Sequence, residues 1–136
     1  MAKIRHIAYR AEDVEALADF FVEGLGLERL QRRGNGAVDV SDGTVNITIL
    51  PMTLARSDGQ PSKPGIEHIG FTVVDEADAR ERIEAAGARE IRRVDLGNPV
   101  NYEVKYHCPQ DIEVDLGHWV GTAPVEDESL VPTAAS

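Results

Sequence analysis

Apolar and polar residues alternate in short runs along this chain, and two of the runs are nearly identical. Residues 4–9 (IRHIAY) return as residues 66–71 (IEHIGF), an offset of 62 positions from His6 to His68. Each run is followed by a helix-like segment that ends at a glycine. A shared order of this kind is typical of an internal repeat, and a repeat defines the unit of a fold. The chain therefore contains the same unit twice.

Helical spacing of apolar residues follows each of these runs. The positions are Val14, Leu17, Phe21 and Leu25 in the first copy, and Ala79, Ile83 and Ala86 in the second. We expect Asp75 to cap the second helix and Gly87 to end it. Strand patterns follow at 27–32, 36–41 and 44–50, and again at 89–95, 101–107 and 111–116. Each copy is therefore predicted to be β-α-β-β-β.

The two copies are joined by a segment of turn-forming residues. Residues 51–65 are rich in Pro, Gly and Ser and are typical of a linker between module 1 (3–50) and module 2 (66–121). A unit of roughly 60 residues buries little core by itself. We therefore expect one domain over residues 1–121, followed by a flexible acidic tail at 122–136.

The charge balance of the chain restricts its partners. Asp and Glu total 24 against 14 Lys and Arg, a formal charge of -10, which argues against nucleic-acid binding. No apolar run reaches the roughly 20 residues that span a bilayer, so no membrane association is expected. The first residues lack a signal-peptide core, and Cys108 is the single cysteine. We expect a cytoplasmic protein.

The two repeated histidines are candidate ligands. Strand alternation places each histidine on one face with a very small residue two positions on, Ala8 after His6 and Gly70 after His68. This leaves space beside each ring. A single strand histidine is usually a hydrogen-bonded core or surface residue, but two at equivalent places of a repeat favour a shared centre.

A carboxylate on the last strand completes the candidate set. Glu113 and Asp115 lie opposite an apolar face, and the alternation leaves open which of them joins the histidines. Two histidines and one carboxylate bind Fe(II), and related sets bind Zn, Mn, Ni or Co, with positions left open for a substrate. The long spacing of these residues means that the hypothesis depends on the fold.

Other polar residues near this strand are candidate catalytic groups. Glu103, Lys105 and His107 alternate on one face of 101–107, which is either a solvated charged face or a face of the site. In the second case Glu103 or His107 acts as a general base. His118 follows the last strand and, if functional, would hydrogen-bond a substrate oxygen.

These motifs together resemble a known family. HIAY and HIGF open the two copies, and CPQDIEVDL closes the second at residues 108–116. Over about residues 3–120 the chain is similar to the vicinal-oxygen-chelate superfamily, the glyoxalase, bleomycin-resistance and extradiol-dioxygenase group. The resemblance implies an α+β fold in which two tandem βαβββ modules form a U-shaped, incomplete eight-stranded barrel around one metal. It also implies a homodimer.

The resemblance implies ligand places for this metal. Three of them are filled by His6, His68 and Asp115. Asp115 matches the family's ligand glutamate, and Glu113 ranks second. The fourth family place matches Thr48, a weak ligand, with Asn46 as the alternative on the same strand.

The filled places indicate the reaction class. Glyoxalase-like members carry a glutamate at the place of Thr48, whereas extradiol-dioxygenase-like sites use two histidines and one carboxylate. We therefore favour a dioxygenase-like enzyme with Fe(II), acting on a small molecule with vicinal oxygens. A glyoxalase-like lyase or an isomerase is the alternative, and so is a metal-free protein that binds a drug or another small molecule.

Overall fold

The computed structural model describes residues 2–56, 59–98 and 101–118, and it shows the same order of elements twice. The first half contains β1 (Lys3–Ala11), α1 (Val14–Asp19) with a π-helical turn (Phe20–Gly24), β2 (Glu28–Arg32), β3 (Val38–Ser41) and β4 (Asn46–Pro51). The second half contains β5 (Gly65–Thr72), α2 (Glu76–Ala85), β6 (Arg89–Asn98), β7 (Asn101–His107), a short 3-10 turn (Pro109–Asp111) and β8 (Glu113–His118). The predicted tail lies outside the described residues.

All eight strands belong to one open sheet in the order β2-β3-β4-β1-β5-β8-β7-β6. Within each half, the first and last strands pair in parallel, β1 with β4 and β5 with β8. The halves join through the antiparallel pair of β1 and β5 at the centre of the sheet. The α+β prediction with a doubled βαβββ unit is confirmed, and the sheet is unclosed.

The helices begin and end where the sequence predicts. The side chain of Asp75 accepts a hydrogen bond from the backbone N of Asp78 at 3.0 Å, and Asp13 caps α1 in the same way from Ala16 at 3.0 Å. Gly87 follows α2 with φ of 110°, a left-handed conformation that glycine adopts without steric cost. Neither helix, nor any other among the described residues, is long and apolar enough to cross a membrane.

One face of the sheet carries the helices and two apolar clusters. The first is formed by Ala11, Ala18, Val38, Val40 and Ile49, and the second by Val73, Val104, Tyr106 and Leu116. Alternation then places the intervening residues of the same strands on the other face. Each half therefore has an apolar core of its own on the helix side of the sheet.

The other face, which we call the polar face, carries many charged and polar side chains that are nevertheless buried, beside a small apolar cluster of Ala8, Ala37 and Leu50. It carries His6, Asp39, Asn46, Thr48, His68, Glu103, Lys105, Glu113 and Asp115, and each is at most 4% exposed. Charged side chains are almost never fully buried unless they are paired or coordinate an ion. The polar face is therefore the candidate location of a functional site.

Candidate metal centre

Four side chains of the polar face converge at the middle of the sheet. His6 of β1, His68 of β5, Glu103 of β7 and Asp115 of β8 each offer one donor atom, and these atoms lie within 4.8 Å of one another. The Nε2 atom of His6 is 3.6 Å from both Glu103 Oε2 and Asp115 Oδ2. The Nε2 atom of His68 is 3.2 Å from Asp115 Oδ2. We call these four residues the central group.

Strand register explains why the central group forms. Across the antiparallel pair of β1 and β5, His6 stands opposite Gly70, and across the parallel pair of β5 and β8, Gly70 stands opposite Asp115. A Cβ atom at residue 70 would overlap the imidazole of His6. The absent side chain of Gly70 therefore gives the His6 ring the space in which it approaches Asp115.

The central group fits a single divalent ion. Imidazole nitrogens and carboxylate oxygens are the donors that first-row divalent metals share. His68 Nε2 is buried and faces Asp115, and both carboxylate oxygens of Glu103 are buried without a hydrogen-bond partner among the described residues. A cavity of about 10 Å³ lies against His6, Glu103 and Asp115, which is room for one ion or one water molecule.

The charge around the central group also fits a divalent ion. Four buried carboxylates lie on or beside the two histidines, against two buried cations, Arg10 and Lys105. The carboxylates are Glu67, Glu103, Glu113 and Asp115. With both imidazoles neutral and all four carboxylates ionised, the cluster would carry two uncompensated negative charges, and buried charge is costly without compensation. In the metal-free protein, the protons held by Glu103 and His68, whose pKa values are both raised, compensate this charge. One divalent cation that displaces these two protons supplies the same charge.

The two carboxylates of the central group differ in their pKa values. Burial raises the pKa of Glu103 to about 8, and the charge of Asp115 adds to that rise. Burial alone would also raise the pKa of Asp115, but His68 and Lys105 outweigh it and hold that pKa well below its usual range. Asp115 is therefore the ionised carboxylate, whereas Glu103 holds a proton near neutral pH.

The two histidines differ in the same way. Burial lowers the pKa of His6 to about 4, so its imidazole is neutral at neutral pH. For His68, burial also favours the neutral ring, but the Asp115 carboxylate outweighs it and holds the pKa well above its usual range. The ring centroids are 5.3 Å apart and nearly perpendicular, and the Nε2 atom of each ring lies near the Asp115 carboxylate.

Lys105 is a residue of the site to which the sequence pattern assigned no role. Its Nζ donates to both carboxylate oxygens of Asp115 at 3.1 Å and lies 3.9 Å from Glu113 Oε2. Burial would lower its pKa, but the surrounding carboxylates outweigh this and raise it, so the ammonium stays charged. The signal was present in the alternation of Glu103, Lys105 and His107 on one strand face.

Thr48 is not part of the central group and is hydrogen-bonded to a different residue. Its hydroxyl donates to Asp39 Oδ1 at 2.7 Å, and Asp39 is also held by the buried Arg33 at 3.0 Å. The fourth side chain among the converging donors is instead Glu103, for which a general-base role was predicted. Asn46 stands opposite His6 in the register of β1 and β4, fully buried.

The other candidate catalytic histidines lie outside the central group. The side chain of His107 is 40% exposed, lies 3.4 Å from Asp111, and lines a separate cavity of about 780 Å³ with Lys63 and Arg89. His118 is exposed at the end of β8. Glu113, the second-ranked carboxylate, lies 3.2 Å from Nδ1 of His68, on the other side of that ring from Asp115.

The fold and the donor set together define a class of protein, an open sheet of paired βαβββ units around side chains that could hold a metal ion. Residues 3–99 match the model of the Glyoxalase/Bleomycin resistance protein/Dioxygenase superfamily. The chain belongs to this superfamily, as its motifs predicted. No curated protein sequence matches the chain closely enough to count as a relative.

Solved structures agree on the fold. A 2,3-dioxygenase, LapB, from Pseudomonas sp. KL28 is 18% identical with a TM-score of 0.65, covering 96% of this chain and 45% of that one. A variant methylmalonyl-CoA epimerase from Streptomyces coelicolor is 21% identical with a TM-score of 0.59, covering 85% and 95%. A Mn(II)-bound glyoxalase from Novosphingobium aromaticivorans is 16% identical with a TM-score of 0.63, covering 85% and 37%.

These similarities establish the fold and leave the activity open among several chemistries. The chain spans less than half of the dioxygenase and glyoxalase chains. The homodimer and the cytoplasmic location stay predictions.

Proposed function

We propose that this chain is a divalent-metal-dependent enzyme that acts on a small substrate with vicinal oxygens. The observation that carries the proposal is the convergence of His6, His68, Glu103 and Asp115 on the buried polar face. These four residues would hold the ion. When bound, a divalent ion supplies Lewis-acid polarisation of substrate oxygens.

The residues of this chain prepare such a site in three ways. Burial of His6 keeps its imidazole neutral, with a nitrogen lone pair available as a ligand. Lys105 donates to both oxygens of Asp115 and thereby fixes the orientation of that carboxylate. Burial of all four side chains excludes bulk water, which strengthens electrostatic interactions inside the site.

Two chemistries have support within this proposal. The set His6, His68 and Asp115 supports an extradiol-dioxygenase-like reaction with Fe(II), because two histidines and one carboxylate leave positions open. Glu103 supports proton transfer in a lyase- or isomerase-like reaction, because it brings a second carboxylate to the same point. We favour Fe(II), with Zn, Mn, Ni and Co as the other candidates.

Metal analysis of protein purified without chelators tests the proposal. We expect about one divalent ion per chain, and loss of that ion in both His6→Ala and His68→Ala. Oxygen uptake with a panel of catechols, measured on Fe(II)-loaded protein, then separates the two chemistries. Absence of metal from every preparation, or unchanged binding in both variants, would contradict the proposal.

A metal-free binding protein is the second candidate, and Lys105 is the observation in its favour. The ammonium already pairs with Asp115 and lies near Glu113, so part of the negative charge is compensated from within the chain. A thermal-shift screen separates the candidates, since a ligand that binds the folded state raises the melting temperature. Divalent ions should stabilise the enzyme and leave a metal-free binding protein unchanged.

A further inference from the structure

Glu67 occupies a place that regular strand alternation would not give it. In a regular strand, Glu67 and His68 would point to opposite faces of the sheet. The register pairs Ala8 with His68 and Tyr9 with Ile66, so Glu67 is an extra residue between two paired positions. A β-bulge of this kind redirects a side chain, and the side chain of Glu67 is 1% exposed beside the ring of His68.

The carboxylate of Glu67 joins two buried groups. Its Oε2 lies 3.0 Å from Nδ1 of His68, and its Oε1 accepts a hydrogen bond from Nε of Arg10 at 2.7 Å. The opposite ring nitrogen, Nε2 of His68, lies 3.2 Å from Asp115 in the central group. Glu67 and the central group therefore contact the two different nitrogens of one imidazole.

Arg10 holds the Glu67 carboxylate in place. Its side chain is fully buried, and its guanidinium also donates to the backbone carbonyls of Pro51, Leu54 and Ala55. Pro51 is the last residue of β4, and Leu54 and Ala55 follow it in the segment between the two halves. The ion pair is thus anchored to backbone on one side and to an imidazole on the other.

Glu113 is the competing partner for the same ring nitrogen. Its Oε2 lies 3.2 Å from Nδ1 of His68, yet it makes no hydrogen bond among the described residues. Glu67 makes that hydrogen bond and has Arg10 to orient it. The geometry therefore favours Glu67 over Glu113.

We propose that Glu67 is a positioning residue for His68: it accepts the Nδ1 proton, sets the orientation of the ring, and presents Nε2 to the central group, with Arg10 holding the carboxylate. A carboxylate that accepts from one ring nitrogen fixes the ring and makes the other nitrogen a better donor to a metal. Only the part of this inference that concerns metal affinity rests on the proposed function. The hydrogen bond itself exists in the metal-free protein.

Proton NMR of metal-free protein with ¹⁵N-labelled histidine tests the hydrogen bond directly. We expect a downfield Nδ1 proton resonance from His68 that moves upfield in Glu67→Gln and stays in place in the matched control Glu113→Gln. The proposal is overturned if Glu67→Gln leaves the resonance unmoved, or if Glu113→Gln moves it as far.

A metal titration of the same variants gives the second measurement. Loss of an outer partner of a metal-bound histidine typically weakens binding about 10–100-fold, so we expect this loss in Glu67→Gln and a smaller one in Glu113→Gln. Equal losses in the two variants would contradict the proposal. If the unsubstituted protein binds no metal, the proposed function fails, whereas the NMR result still decides the role of Glu67.

A second variant covers the case in which Glu67→Gln does not fold. Removing one member of a buried ion pair leaves an uncompensated charge, whereas replacing both members avoids this. The double substitution Arg10→Met and Glu67→Met therefore serves in its place. We expect the same loss of the downfield resonance, and its persistence in the double variant would overturn the proposal.

Discussion

The two halves of the molecule place different chemistry at the same point of one fold. Thr48 stands opposite Ala8 in the first half, and Asp115 stands opposite Gly70 in the second, at equivalent positions of the parallel strand pairs. Thr48 is committed to Asp39, which pairs with Arg33. Asp115 instead meets two histidines and a lysine.

The difference shows how a repeated unit comes to form a single centre. In the first half, the buried carboxylate of Asp39 on the polar face is neutralised by an ion pair with Arg33. In the second half, buried carboxylates outnumber buried cations, and both oxygens of the Glu103 carboxylate lack a hydrogen-bond partner among the described residues. The first half contributes one residue, His6, to a site that the second half otherwise supplies.

The largest expected effect on metal affinity distinguishes Asp115 from Thr48, the equivalent position of the first half. We expect Asp115→Asn to weaken metal binding by more than about 100-fold, because loss of a ligand exceeds the typical effect of losing an outer partner. Thr48→Val, the matched change in the first half, should leave the affinity unchanged. Isothermal titration with Mn(II) or Zn(II) measures both, and similar affinities in the two variants would contradict the comparison.

A smaller effect on metal affinity should distinguish Glu103 from His107, which lie on the same face of β7. Glu103→Gln removes a carboxylate of the central group and should weaken metal binding by about 10-fold or more. His107→Gln alters a partly exposed residue beside another cavity and should have no effect on metal binding. The same titration checks both, and a loss in His107→Gln would show that the centre lies elsewhere.

Two small residues provide a further comparison between the halves. Gly70 stands opposite His6, and Ala8 stands opposite His68. Gly70→Ala should destabilise the protein by about 1–3 kcal/mol and displace His6, because the added methyl group overlaps that ring. Ala8→Gly should cost about 1–2 kcal/mol, because it adds backbone entropy to the unfolded chain and removes a buried methyl group that packs with Ala37 and Leu50.

Urea unfolding measures both changes, and a metal titration shows whether the affinity follows. Gly70→Ala should weaken metal binding, whereas Ala8→Gly should leave the affinity close to that of the unsubstituted protein. A Gly70→Ala variant of undiminished stability and affinity would show that the ring of His6 has room to move.

The smallest expected effect compares two polar residues of β4. Both amide atoms of Asn46 are buried without a hydrogen-bond partner among the described residues, so Asn46→Leu should leave the free energy of unfolding unchanged or raise it. Thr48→Val removes a hydrogen bond and should lower it by about 1 kcal/mol. The opposite order in urea unfolding would contradict this assignment.

Much of the fold could be predicted from local patterns. Strand β7 spans the predicted 101–107, and Asp75 and Gly87 bound the second helix as expected, because capping and alternation act over a few residues. The repeat also pointed to His6 and His68 as a pair. These features need no knowledge of which strands are neighbours.

Other features depend on the neighbours of each strand. Glu103 was interpreted as a general base, and the structure places it among the donors because β7 lies beside β8 in the sheet. Strand alternation gives no reason to place Glu67 beside His68, because no periodic pattern in the sequence indicates a β-bulge. Thr48 was matched to a ligand place, and its partner Asp39 lies on the adjacent strand β3.

The sequence by itself determined the doubled unit, its order of helices and strands, and the pair of histidines, one in the first strand of each half. The family resemblance pointed to Asp115, but tertiary structure alone decided that Glu103 lies beside His6. It also decided which nitrogen of His68 is contacted by Glu67, Glu113 and Asp115. The physical reason is range: hydrophobic periodicity and capping act within one element. The central group instead depends on the register of strands far apart in the chain, and on one bulge that turns Glu67 toward His68.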